Sequence, residues 1–127
     1  MSKYENYITD LLNKNNVFFE REKTFNDLKK GLFRFDFYLP AVQGGPIAIE
    51  LDGPQHFEWN KHFYKEYTDF KRQQENDRRK NAYCLAHKIP LFRIPYWDIL
   101  DIKDVNELVK DKYRVKSQYH NDKLIRK

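Results

Sequence analysis

The chain has a single cysteine, Cys84, which excludes an intrachain disulfide and any cysteine-rich zinc site and fits a reducing compartment. It has no long apolar run. Stretches such as Val17 to Phe19 and Ile47 to Ile49 fall far short of the roughly 20 residues a membrane span needs. The opening Met1-Ser2-Lys3-Tyr4-Glu5 lacks the apolar stretch of a secretory signal. A soluble, cytoplasmic protein with no membrane partner is therefore expected. Glycine and proline are sparse, and none occurs between Gln55 and Lys88, so nothing there interrupts a long helix.

Aromatics and positive charge are abundant. Ten Phe, nine Tyr and two Trp supply large buried areas to the core of a 127-residue chain. That length is one ordinary domain, expected over 1–127 with its core at about 3–110. A net charge of +5 and a pI near 9.2 favour a polyanionic partner or a membrane surface.

Periodicity divides the chain. Tyr4, Tyr7, Ile8, Leu11 and Leu12 recur at helical spacing over Lys3 to Asn13, and Asn15-Asn16 is a plausible stop. Val17 to Phe25 reads as a first strand and Asn26 to Gly31 as a loop. Phe33, Phe35 and Phe37 then alternate with Arg34, Asp36 and Tyr38, which places the two sets on opposite faces of a strand. Pro40 and Gly44-Gly45-Pro46 mark a turn. Beyond it, Ile47, Ile49 and Leu51 alternate with Ala48, Glu50 and Asp52, so an antiparallel hairpin would set Asp36 and Glu50 on adjacent strands.

A long helix within Gln55 to Lys88 carries an inward line, Phe70, Gln74, Asp77 and Asn81, in which polar residues interrupt the apolar stripe. Ile89 to Ile94 reads as a last strand closed by Pro95, and Val105 to Lys110 as a short helix. The basic stretch Lys112 to Lys127 is expected to fray. The order predicts a one-domain α/β or α+β sandwich.

Two carboxylates on neighbouring strands suit a hard divalent cation, which prefers oxygen ligands, and Asp52 shares the face of Glu50. Such a cation lowers the pKa of an attacking water and offsets phosphate charge. The alternative is a set of solvent-facing acids paired with bases such as Arg34.

The run Arg34-Phe35-Asp36-Phe37-Tyr38-Leu39-Pro40, followed by Ile47-Ala48-Ile49-Glu50-Leu51-Asp52-Gly53-Pro54-Gln55-His56-Phe57, resembles the core of the PD-(D/E)XK nucleases. The branch most similar is the one related to very-short-patch-repair endonucleases, which includes stand-alone, phage and mobile-element nucleases. Asn76-Asp77-Arg78-Arg79-Lys80 and Ile89 to Trp97 resemble that branch's helix and last core strand. The resemblance implies a restriction-endonuclease-like core, a central mixed β-sheet flanked by helices. It further implies Mg2+, with Mn2+ as a substitute, held by Asp36 and Glu50, and Glu5 as a supporting carboxylate.

The chain departs from the motif at one position, where Asp52 stands in place of lysine. Either Asp52 binds metal or orients water itself, or Gln55, His56 or Lys80 supplies the missing group. His56 follows the strand by four residues and has an unperturbed pKa suited to proton transfer. Lys80 lies three residues after Asp77, so both share one helix face, with Asp77 in support. Gln73 and Gln74 also reach toward that face. His62, His87 and His120 have no such context and read as surface residues. Lys71, Arg72, Arg78 and Arg79 form a basic cluster suited to phosphates, although such clusters are often only a wet helix face. A magnesium-dependent endonuclease for double-stranded or branched DNA is thus expected, as a nicking monomer or a double-strand-cutting homodimer. The rivals are a catalytically inactive DNA-binding module and a nuclease acting on RNA.

Overall fold

A computed structural model describes residues 2–57 and 66–123. Helix α1 (Lys3–Lys14) starts at a capping box in which Ser2 Oγ accepts from the Glu5 N–H while Glu5 Oε1 accepts from the Ser2 N–H. It ends at Asn15, and Asn16 turns the chain away with φ +56. Strands β1 (Glu20–Thr24), β2 (Arg34–Leu39) and β3 (Ile47–Asp52) follow, then helix α2 (Tyr67–Ala86), strand β4 (Leu91–Pro95) and helix α3 (Tyr96–Ile99). Short 3-10 turns cover Pro54–His56 and Val105–Val109. His62 lies outside the described residues.

The architecture is mixed α/β, a four-stranded sheet in the order β1-β2-β3-β4 with helices against it. The β1–β2 and β2–β3 pairs are antiparallel, whereas β3 and β4 are parallel and joined through α2. That crossover decides which side chains meet. On one face of β3, Ile47 and Ile49 pack with Phe92, Ile94, Ile99 and the α1 residues Ile8 and Leu12. On the other, Ala48 packs with Leu91 and the α2 residue Cys84, so Glu50 and Asp52, alternating with Ile49, point toward α2.

Three expectations need correction. Phe35 and Phe37 do not share a face, for Phe35 belongs with Ala48, Leu91 and Cys84, and Phe37 with Ile49 and Phe92. The strand reverses at Asp36, where side chains replace ladder partners: the Asp36 N–H donates to Glu50 Oε1 at 2.7 Å and its carbonyl accepts from Arg21 Nε at 3.0 Å. Opposite it, Glu22 adopts φ +52, and β1 switches faces in step, with Arg21 over the Phe37 ring and Lys23 over Tyr38.

Second, strand β1 is shorter than Val17 to Phe25. Val17 and Phe19 instead lie partly buried against the α1 side of the sheet. Third, the C-terminal stretch does not fray through Asp122. Tyr113 and Val115 are buried, while Arg114 between them and the flanking Lys112 and Lys116 are exposed. The Val115 N–H donates to the Leu91 carbonyl at 2.8 Å, and Asn121 is buried against α2. His120 is half-buried in this segment rather than exposed. Among the described residues, no helix is long and apolar enough to cross a membrane.

The packed tail yields a stability prediction. Val115→Ala should lower unfolding free energy in urea by about 2 kcal/mol, as for other buried truncations. A frayed segment would give no change.

Candidate active site

A cleft of about 450 Å³ opens where the start of α1, the reversal in β2, the end of β3 and the middle of α2 converge. Asp36, Glu50, Gln55, His56, Gln73 and Lys80 line it, with Glu5 on its α1 wall. Asp36 Oδ2 accepts from the Leu51 N–H at 2.8 Å, and Glu50 Oε2 accepts from Lys80 Nζ at 2.7 Å. The same ammonium donates to the Arg34 carbonyl at 2.5 Å, so Lys80 joins α2 to β2 and β3 at once.

Glu5 acts at one remove. It forms a short ion pair with Arg21, whose Nε holds the Asp36 carbonyl. Gln55 folds back over Gly53, where an added Cβ would lie 2.5 Å from its Oε1.

Asp52 and Asp77 do not reach the cleft wall. Both are buried behind it around Arg93, a guanidinium with 0% exposure. Arg93 Nη1 donates to Asp52 Oδ1 at 2.8 Å and Nε to Asn81 Oδ1 at 2.7 Å, while Nη2 lies 3.6 Å from Asp77 Oδ1. Asn121 from the tail donates to the second Asp52 oxygen at 2.9 Å. Asp52, like Glu50, is engaged at both oxygens, but unlike Glu50 it does not line the cleft. Neither Arg93 nor Asn121 was expected at the site, although an arginine within the apolar run Leu91 to Ile94 was a usable signal, because a buried charge requires a partner.

His56 links the two layers. Its Nδ1 sits 2.8 Å from Asp77 Oδ2 and 3.8 Å from Asp52 Oδ1. Burial by itself would lower the imidazole pKa, but the charge of Asp52 and the hydrogen bond and charge of Asp77 outweigh it and hold the ring up at about 9. His56 is therefore protonated at neutral pH. Gln73 Nε2 steadies Asp77 at 3.1 Å.

The formal charges nearly cancel. Glu50, Asp52 and Asp77 stand against Lys80, Arg93 and His56, three of each, linked through Arg93 into one network of ion pairs. Asp36 is the surplus acid. Burial, followed by repulsion from Glu50, pushes its carboxyl up to about 7.

The basic cluster divides. Arg78 is tied to Asp122 of the tail at 2.6 Å and Arg72 to Asp69 at 2.9 Å, whereas Lys71 lies over Tyr67 and Arg79 over Phe33. Among the described residues, no three His, Cys, Asp or Glu side chains converge as a ligand set, so a cation here would rest on the pair Asp36 and Glu50.

No protein-family model matches the chain, and no solved structure does. It is similar to uncharacterized protein 307L of Invertebrate iridescent virus 6, at 28% identity over 88 residues. The match covers 68% of this chain and 41% of the viral protein, so the chain spans well under half the length of that relative.

The raised pKa of His56 fixes the sign of a pH effect. Its ion pairs stabilise the fold fully below the ordinary value of 6.5 and are lost as pH rises through about 9. The stability of the wild type relative to His56→Gln should therefore fall over that window, by on the order of 2 kcal/mol in urea titrations. A difference that does not change with pH would mean His56 is neutral at pH 7.

Proposed function

We propose that this chain is a magnesium-dependent endonuclease of the PD-(D/E)XK type, with a restriction-endonuclease-like core, acting on DNA. The observation that carries the reading is the contact of Lys80 with Glu50 beside Asp36, because it brings two carboxylates and an ammonium group to one cleft from β2, β3 and α2. Asp52, at the motif's lysine position, is occupied by Arg93 and Asn121. Lys80 therefore takes the cationic role from the helix, and Asp52 is structural.

The donor set fits the ion. Two hard carboxylates are what magnesium takes from a protein while keeping water and phosphate oxygens for the rest of its shell. Asp36 is raised by burial first and then by the charge of Glu50, and a cation held by the two carboxylates would offset both, a second sign of fit. When bound, the ion lowers the pKa of a water and neutralises phosphate oxygens.

The protein's own groups do the rest. Asp36 and Glu50 hold the ion, and the Lys80 ammonium offsets charge that builds on the phosphate as its bond to the leaving oxygen breaks. His56 is held through Nδ1 by Asp77, which leaves Nε2 to donate a proton to that leaving oxygen. Arg21, braced by Glu5, fixes the backbone from which Asp36 projects. A net charge of +5 favours the polyanionic substrate.

Plasmid nicking or cleavage should require Mg2+ or Mn2+ and stop with a chelator. Asp36→Asn and Glu50→Gln should abolish it while DNA binding survives. Lys80→Ala should slow it by about 10²-fold at saturating DNA, the scale of one lost transition-state donor, and Lys80→Arg should rescue only partly. Arg79→Ala should mainly weaken binding. Cleavage in excess chelator, or wild-type rates in both carboxylate variants, would end this reading.

A further inference from the structure

The loop between β1 and β2 has features that packing does not explain. Lys29, Lys30 and Gly31 take φ values of +46, +53 and +78 in succession. Glycine tolerates this region, but two lysines there carry strain, which persists where the surroundings enforce it and concentrates at functional segments. The next residue, Leu32, is 70% exposed, the highest of the large hydrophobic side chains among the described residues. Phe33 then lies beneath two cations, Lys29 at 5.3 Å and Arg79 at 5.2 Å from its ring centre.

This loop stands beside the cleft. The Lys80 ammonium that contacts Glu50 also binds the Arg34 carbonyl, and Leu32 is only two residues, at most about 7 Å of chain, before Arg34. On α2, Arg79 adjoins Lys80 in sequence and its guanidinium lies against Phe33, so a second cation stands beside the loop next to the cleft-lining Lys80. The nearby acids are engaged: Glu22 faces Arg34 at 3.8 Å, and Asp27 accepts from Tyr83 and meets His87. Lys29 and Lys30 have no ion-pair partner among the described residues.

We propose that the β1–β2 loop is a DNA clamp, in which Lys29, Lys30 and Arg79 hold backbone phosphates next to the cleft and Leu32 inserts as an apolar wedge at a base step. The proposal rests on the nuclease reading and deepens it. An exposed apolar side chain flanked by cations matches a duplex, whose charged rails lie on either side of an apolar base stack. Wedges of this kind unstack a step and bend the duplex, which widens the surface the protein can grip. Exposed strain in the two lysines is offset when their ammonium groups meet phosphate, and the loop needs no rearrangement to present Leu32.

The test uses the full chain carrying Glu50→Gln, which leaves a duplex uncut, with 2-aminopurine scanned along one strand. The fluorescence of the probe should rise at one step near the bound cleft, and Leu32→Ser should remove that rise. Lys29→Gln and Lys30→Gln should each reduce the slope of log affinity against log salt by about 0.9, one phosphate contact apiece. Lys30→Gly should leave the melting temperature at or above that of the parent protein while weakening binding. Unchanged fluorescence and salt slopes in these variants, with wild-type cleavage intact, overturn the clamp alone. A lower melting temperature in Lys30→Gly with unaltered affinity assigns the loop a structural role and also overturns it. If the parent protein does not bind DNA and the wild type does not cut it, both the clamp and the nuclease reading fail.

Discussion

A guanidinium buried to 0% exposure must be paired, and Arg93 finds its partners on both β3 and α2. From β4 it binds Asp52 on β3 and Asn81 on α2, with Asp77 and Glu50 at 3.6 and 4.0 Å. Removing one partner from such a buried set costs about 3–5 kcal/mol because it leaves an uncompensated charge. The demand on geometry is correspondingly strict. Asn81 adjoins Lys80 in sequence, so the contact that seats α2 on the sheet also sets how far the Lys80 ammonium extends over Glu50. The tail answers the same demand from outside, with Asn121 completing the Asp52 carboxylate and Gln118 accepting from Asn81.

The electrostatics of the cleft follow from this buried layer. Arg93 consumes Asp52 and shares Asp77 with His56, so neither acid is left to compete for a cation at the cleft wall. Lys80 meets Glu50, and of the four acids gathered here, Asp36, Glu50, Asp52 and Asp77, Asp36 is the one with no ion pair among the described residues. On the nuclease reading proposed above, this unbalanced acid beside a second carboxylate is where a divalent ion would be held. The reversal of β2 serves the same end. By giving its N–H to Glu50 and its carbonyl to Arg21, Asp36 leaves the ladder and turns into the cleft.

Much of this was legible in the chain. Alternation in two short strands, with a turn between them, sufficed to bring Asp36 and Glu50 together, and helical spacing put Asp77 and Lys80 on the sheet-facing side of α2, Lys80 in the cleft and Asp77 behind it. Other parts left no periodic trace. The face switch between Phe35 and Phe37 depends on side chains replacing ladder bonds at Asp36, which a pattern of apolar residues cannot register. Asp52 read as a third ligand because it shares a face with Glu50, and only the position of Arg93 across the parallel pair shows that it is consumed. Asn121 sits in a stretch whose basic composition suggests solvent, while alternating Tyr113 and Val115 pin that stretch to β4. In each case a long-range contact outweighed a local signal.

The most direct test of the account is a crystal of the full chain soaked in manganese at about pH 8, above the value of about 7 held by Asp36. Anomalous scattering should place an ion about 2.1 Å from oxygens of both Asp36 and Glu50, with Asp52 still bound to Arg93. An ion seated instead on Asp52 and Asp77, or none at saturating manganese, would contradict it.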